Sequence, residues 1–173
     1  MLSWQGISEL SVVLVIVEVL IGVQPMSAIK SSIRPNSTIA RQHIQINALV
    51  DALSSRFDSE KMATRNLVSL LNSLAAHLET HFELEEEDEY FGSILVRAPR
   101  LAERVENLLH QHKVLRADVD QLVDLARAVF ASHGDTSELA SRFRNFKKQL
   151  LNHEKAENDL FQEAYTCDLG SGD

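Results

Sequence analysis

At 173 residues the chain has room for one domain with a real core and is too short to expect two. Six glycines, three prolines and an abundance of aliphatic residues suit an all-α protein; a net charge of −8, with no basic patch interleaved with aromatics, excludes nucleic acid as an expected partner. The single cysteine, Cys167, cannot form an internal disulfide, so nothing argues for an oxidising compartment and a cytoplasmic location is expected.

Residues 1–35 stand apart as an apolar extension and linker. Leu10 to Val23 is almost wholly apolar, broken by Ser11, Glu18 and Gly22. It is shorter than the roughly 20 residues that span a bilayer and carries a glutamate in its middle, so no membrane span is expected. Met1 to Leu10 contains Glu9 but no lysine or arginine, which argues against a signal peptide. Three readings stay open: a packing helix or membrane-surface segment, a poor targeting segment, or a non-native extension with the working start at Met26. The first and last are preferred.

Ser27 to Ser37 is a polar linker, and Pro35-Asn36-Ser37 offers a helix N-cap. Ile39, His43, Ile46, Val50, Leu53 and Phe57 then recur at spacings of four and three, which is one face of a helix. After a polar connection from Asp58 to Thr64, a second row runs Leu67, Leu71, Leu74, Leu78, His81, Glu85. Glu83, Glu86, Glu87 and Asp88 fall off that line and read as solvated, with Glu86 nearest its edge. Gly92 to Arg100 reads as a break, and Pro99 suits the first turn of a third helix. Its row is Leu101, Val105, Leu108, His112, Leu115, Val119, Leu122, Ala126, Val129, with Gly134 as the expected C-terminal stop. Asp135 and Glu138 have capping-box spacing for a fourth helix, whose row is Leu139, Phe143, Phe146, Leu150, His153, Glu157, Leu160, Ala164. Tyr165 to Asp173 reads as a fraying end, with 167–173 a flexible tail. Four amphipathic segments with short connections predict an up-down-up-down antiparallel four-helix bundle over residues 36–166.

Each row holds a histidine, and His81/Glu85 and His153/Glu157 are pairs four apart, stacked on one side of a helix. In antiparallel neighbours, residues at one height lie equally far from the turn, at about 1.5 Å per residue. The midpoints between His43 and His81/Glu85, His81/Glu85 and His112, and His112 and His153/Glu157 fall near residues 63, 97–98 and 133–134. Those positions lie in or at the edge of the three connections. Six polar residues are thereby predicted in one layer: His43, His81, Glu85, His112, His153 and Glu157. Four imidazoles and two carboxylates are too many for a tetrahedral zinc site and about right for two octahedral ions sharing carboxylates. Mixed nitrogen and oxygen donors without thiolate suit iron or manganese, with iron preferred.

The ordered set (lone histidine, His-x-x-x-Glu, lone histidine, His-x-x-x-Glu) resembles the hemerythrin-like family, the HHE cation-binding domain, over roughly residues 36–165. The resemblance implies a non-haem di-iron centre, with Glu85 and Glu157 bridging and the histidines terminal. Oxygen-carrying hemerythrins have a second histidine on the third helix, four from the first; Leu108 and Arg116 stand at those places here. Their last helix uses His-x-x-x-x-Asp, whereas Asn158 follows Glu157. The set looks more like bacterial di-iron proteins of iron–sulfur repair and nitrosative stress, which usually carry an added N-terminal cysteine-containing domain; the one cysteine here, Cys167, follows the bundle.

The expected partner is a small diatomic ligand or oxidant, oxygen or nitric oxide, bound for sensing, stress response or iron handling. The rivals are a peroxidase-like or nitric-oxide-reducing enzyme at the same irons, an iron store, and a metal-free helical interaction module with a polar layer. No acid or base beyond the ligands is evident. His77, one turn before His81, is open between a fifth ligand, a hydrogen-bond donor to the site, and a partly exposed histidine. His110 reads as solvent-facing, His133 as a turn residue, Cys167 as an incidental tail thiol, and Tyr90 and Tyr165 as optional hydrogen-bond donors near the site.

Overall fold

The computed structural model describes residues 35–58, 64–87 and 90–166; the extension at 1–34 and the tail at 167–173 lie outside them. Four long helices form as the periodicity predicts: α1 (Pro35–Phe57), α2 (Thr64–Glu86), α4 (Ala102–Ser132) and α5 (Ser137–Thr166). The helix α1 begins at Pro35, the first residue of the Pro35-Asn36-Ser37 stretch read as its cap, where proline is preorganised for a first turn. Each long helix packs along the next in sequence, as an up-down-up-down bundle requires, while α1 meets α5 only lightly. No strand occurs among the described residues, and none of their helices is long and apolar enough to cross a membrane.

The second connection departs from the prediction. Across Gly92 to Arg100 runs a short helix, α3 (Phe91–Arg97), followed by a 3₁₀ turn at Pro99–Leu101. Two turns are too short to show a period, and Gly92 and Pro99 argued for a break. Burial of Phe91, Ile94, Ala98 and Leu101 stabilises the segment instead.

The turn between α4 and α5 also closes differently. His133, not Gly134, takes the left-handed conformation (φ 53°), and Gly134 N–H donates to Val129 O at 2.9 Å. Asp135 accepts from Ser137 N–H at 3.0 Å, as a cap should, but Glu138 turns forward to Arg142 at 2.7 Å rather than back. At the far end α5 runs on to Thr166, so Tyr165 is helical; its ring stacks on Phe161 at 4.3 Å.

The core is divided in two. Ile46, Val50 and Leu53 join Leu67, Leu71, Leu74, Leu78, Phe82, Leu115, Val119, Leu122, Leu139, Phe143, Phe146 and Leu150 on one side. Ile39, Tyr90, Phe91, Ile94, Leu101, Val105, Leu108 and Leu160 form a smaller cluster under α3 on the other. His81, Glu85, His112, His153 and Glu157 are the buried polar residues between them in sequence along each row.

The larger cluster carries the stability. Phe143 is 1 % exposed and its ring lies 4.8 Å from Phe57. Phe143→Ala, which leaves a cavity at the end of the bundle away from the polar layer, should cost about 3–5 kcal/mol in urea denaturation.

Candidate metal centre

The helical rows converge on one cluster. His43 Nε2 lies 3.1 Å from His81 Nε2 and 3.3 Å from Glu157 Oε2, and His81 Nε2 lies 3.1 Å from Glu85 Oε1. On the other side of the same carboxylate, His112 Nε2 lies 3.2 Å from Glu85 Oε2. Two groups able to hold a cation result: His43, His81, Glu85 and Glu157, and Glu85, His112 and His153, with donor atoms within 4.8 Å of one another in each. Among the described residues, Glu85 alone belongs to both groups.

The outer hydrogen bonds decide which way the imidazole lone pairs point. His81 Nδ1–H donates to Gln42 Oε1 (3.4 Å), His112 Nδ1–H to Glu86 Oε1 (2.9 Å) and His153 Nδ1–H to Gln111 Oε1 (3.2 Å). Each bond places the ring proton outside, so each Nε2 turns a lone pair toward the centre. Nε2 of His112 and His153, both oxygens of Glu85 and Oε2 of Glu157 are buried without a hydrogen-bond partner. Acceptor faces acceptor at about 3 Å. His43 and His81 share a hydrogen bond, but it leaves those other atoms unpartnered, whereas a cation satisfies several at once, since bonds of about 2.1 Å place adjacent ligand atoms about 3 Å apart. The donor set therefore fits a metal.

Charge behaviour tells the same story. Burial, then the nearby charge of Glu157, raises the Glu85 carboxyl well above its ordinary value. Burial opposes ionisation of Glu157 too, but the neighbouring His43 and Glu85 and the hydrogen bond from Tyr90 hold it below the usual carboxylate range. Burial lowers His81 to about 3 and His153 to about 4, and lowers His112 against the pull of Glu86. His43 alone is raised: burial disfavours its charge, and the Glu157 carboxylate overrides that. Neutral imidazoles are ready to bind a cation without first losing a proton.

Glu157 is held from its far side by Tyr90, whose buried hydroxyl donates to Oε1 at 2.5 Å. Tyr90 thus does what the sequence left optional, while Tyr165 bonds Ser93 Oγ at 3.3 Å. The edge residue Glu86 reaches His112. Arg116 bonds Glu86 at 2.7 Å and Glu79 at 2.8 Å and lies over the Phe82 ring, which is stacked on His112 at 4.1 Å. At the place of a possible fifth histidine on α4 there is thus a guanidinium engaged with carboxylates. Leu108 is core, and Asn158 is exposed and bonds the backbone of Glu154.

His77 is not brought to the cluster as a ligand. Its Nδ1–H donates to Ser73 O at 2.8 Å, one turn back on its own helix, and it belongs to neither donor group. His110 is exposed, as expected. Sequence reasoning missed Gln42 and Gln111. The signal was present as the dipeptide Gln-His at 42–43 and again at 111–112. In each case the glutamine holds the histidine of the following long helix's His-x-x-x-Glu pair.

A family model described as "Hemerythrin HHE cation binding domain" matches residues 34–165. The chain belongs to this family. Neither a curated protein nor a solved structure matches it. In this hemerythrin-family chain the match covers all six residues of the cluster.

Glu85→Gln separates binding from folding. The raised carboxyl of Glu85 contributes stability below its unfolded value, near pH 4.5, that is lost as pH rises through its folded value. The metal-free variant should therefore be more stable than the metal-free parent at pH 7, by about 1–3 kcal/mol. The gap should shrink toward pH 5, read by denaturant unfolding in chelator, while metal affinity falls.

Proposed function

We propose that the protein is a non-haem di-iron protein that binds a small diatomic ligand or oxidant, oxygen or nitric oxide, in sensing, stress response or iron handling. The observation that carries this reading is the shared position of Glu85 between two donor groups. Glu85 would be shared by two ions, with His43, His81 and Glu157 holding one and His112 and His153 the other. Bound iron supplies redox capacity and coordination positions for an outside ligand, since neither side fills an octahedral shell with protein atoms.

Other residues govern the surroundings. Tyr90 occupies Oε1 of Glu157, which favours Oε2 as its coordinating oxygen. Phe82 and the cluster beneath α3 keep water from most of the site. The family's cation-binding character and the mixed donors support iron, and the lone cysteine supports a cytoplasmic location. A metal-free interaction module is disfavoured, because it would keep acceptor against acceptor in a buried layer.

Metal analysis of the purified protein should find close to two irons per chain. His81→Ala and Glu157→Ala should lose most of that iron and His110→Ala none; equal loss in all three would refute the ligand assignment. Anaerobic titration of the reduced protein with oxygen and with nitric oxide should give a reversible adduct by absorption spectroscopy. Continuous consumption of either gas would instead establish an enzyme.

A further inference from the structure

The ligand set meets solvent at one residue. The side chain of His43 is 18 % exposed, whereas His81, Glu85, His112 and Glu157 are each at 0–1 %. His43 stands on α1 where that helix faces α5, the most lightly packed seam of the bundle. Toward the turn end the seam is shut: Phe57 packs on Phe143 at 4.8 Å, and Lys147 bonds Ser54 Oγ at 2.9 Å and Asp51 at 3.4 Å. At the level of the cluster α1 and α5 meet through His43 Nε2 and Glu157 Oε2 at 3.3 Å and through one long hydrogen bond, Asn47 Nδ2–H to Glu154 Oε2 at 3.3 Å.

Glu154 has no part in the donor groups described above, yet its chemistry points toward them. Its Oε1 is buried without a hydrogen-bond partner, although the residue is only half-buried overall. Its charge is felt by His43, Glu85 and Glu157. An unpaired carboxylate oxygen in such a place is costly unless a cation visits it.

We propose that Glu154 and His43 form the entry position for a divalent cation, a transient site at the α1–α5 seam from which the ion passes to the buried cluster. The inference rests on the metal-binding reading of that cluster. An arriving cation meets the half-buried Glu154 side chain and the part-exposed His43 first, and gains Oε1 as Glu154 swings out, with the chain's net charge of −8 drawing it in. Swinging the Glu154 side chain away from Asn47 breaks one weak bond and no core packing. Glu154 is thus a positioning residue for uptake and not a resident ligand.

The test is anaerobic loading of metal-free full-length protein with ferrous ion, timed by stopped-flow competition with a chromogenic chelator. Glu154→Gln should load about 3- to 10-fold more slowly, with a weaker dependence on salt. Its final iron content and thermal midpoint should match the parent. Asn47→Ala, which frees the carboxylate, should load at least as fast as the parent, and Glu106→Gln on the exposed face of α4 should be unchanged. Equal rates for Glu154→Gln and the parent would overturn the entry route alone, and so would a lowered iron content, which would make Glu154 a resident ligand. A parent protein that takes up no ion would overturn the metal reading itself.

Discussion

The structure turns on lone pairs that face one another in a buried layer. Three histidines have their Nδ1 protons drawn outward by Gln42, Glu86 and Gln111. Nε2 of His112 and of His153 and both oxygens of Glu85 are left buried without a hydrogen-bond partner, with His112 Nε2 and Glu85 Oε2 only 3.2 Å apart. Burying such groups unsatisfied costs free energy that no amount of helix propensity offsets at that spot. The two apolar clusters hold the helices in place despite this layer, so folding and binding pull in different directions at the same residues.

That opposition explains the layout of the surroundings. The larger cluster, from Ile46 to Phe146, supplies the stability at a distance from the polar layer. The smaller one, with Tyr90 and α3, closes the other end and brings a phenol onto Glu157. Arg116 donates to the same Glu86 oxygen as His112, so the carboxylate that orients this imidazole is itself held by a fixed positive charge. A chain of partners therefore runs from exposed Glu79 inward to a nitrogen at the centre.

The bundle and all six cluster residues were legible because both depend on spacing. A helix repeats every 3.6 residues and rises evenly, so faces and heights can be counted from the chain. The repeated Gln-His dipeptide belongs to the same arithmetic and went unread, because a polar residue beside a histidine has no distinctive period. His77 shows the limit of the method: it shares a shoulder with His81, but its ring bonds Ser73 and stays out of the site. The short helix α3 was hidden for another reason, since burial of Phe91 and Ile94, not periodicity, holds it.

Sequence alone determined the four long helices, which of their faces pack inward, and the level at which histidines and glutamates meet. These follow from local repeats and from the near-equal lengths of chain on either side of each turn. Only the tertiary structure decided which nitrogen of each ring faces the centre, that Glu85 rather than Glu157 is common to both donor groups, and that Tyr90 and Glu154 stand beside them. Those outcomes rest on side chains meeting across different helices, with orientations set by partners many residues away, and no count along one chain carries that information.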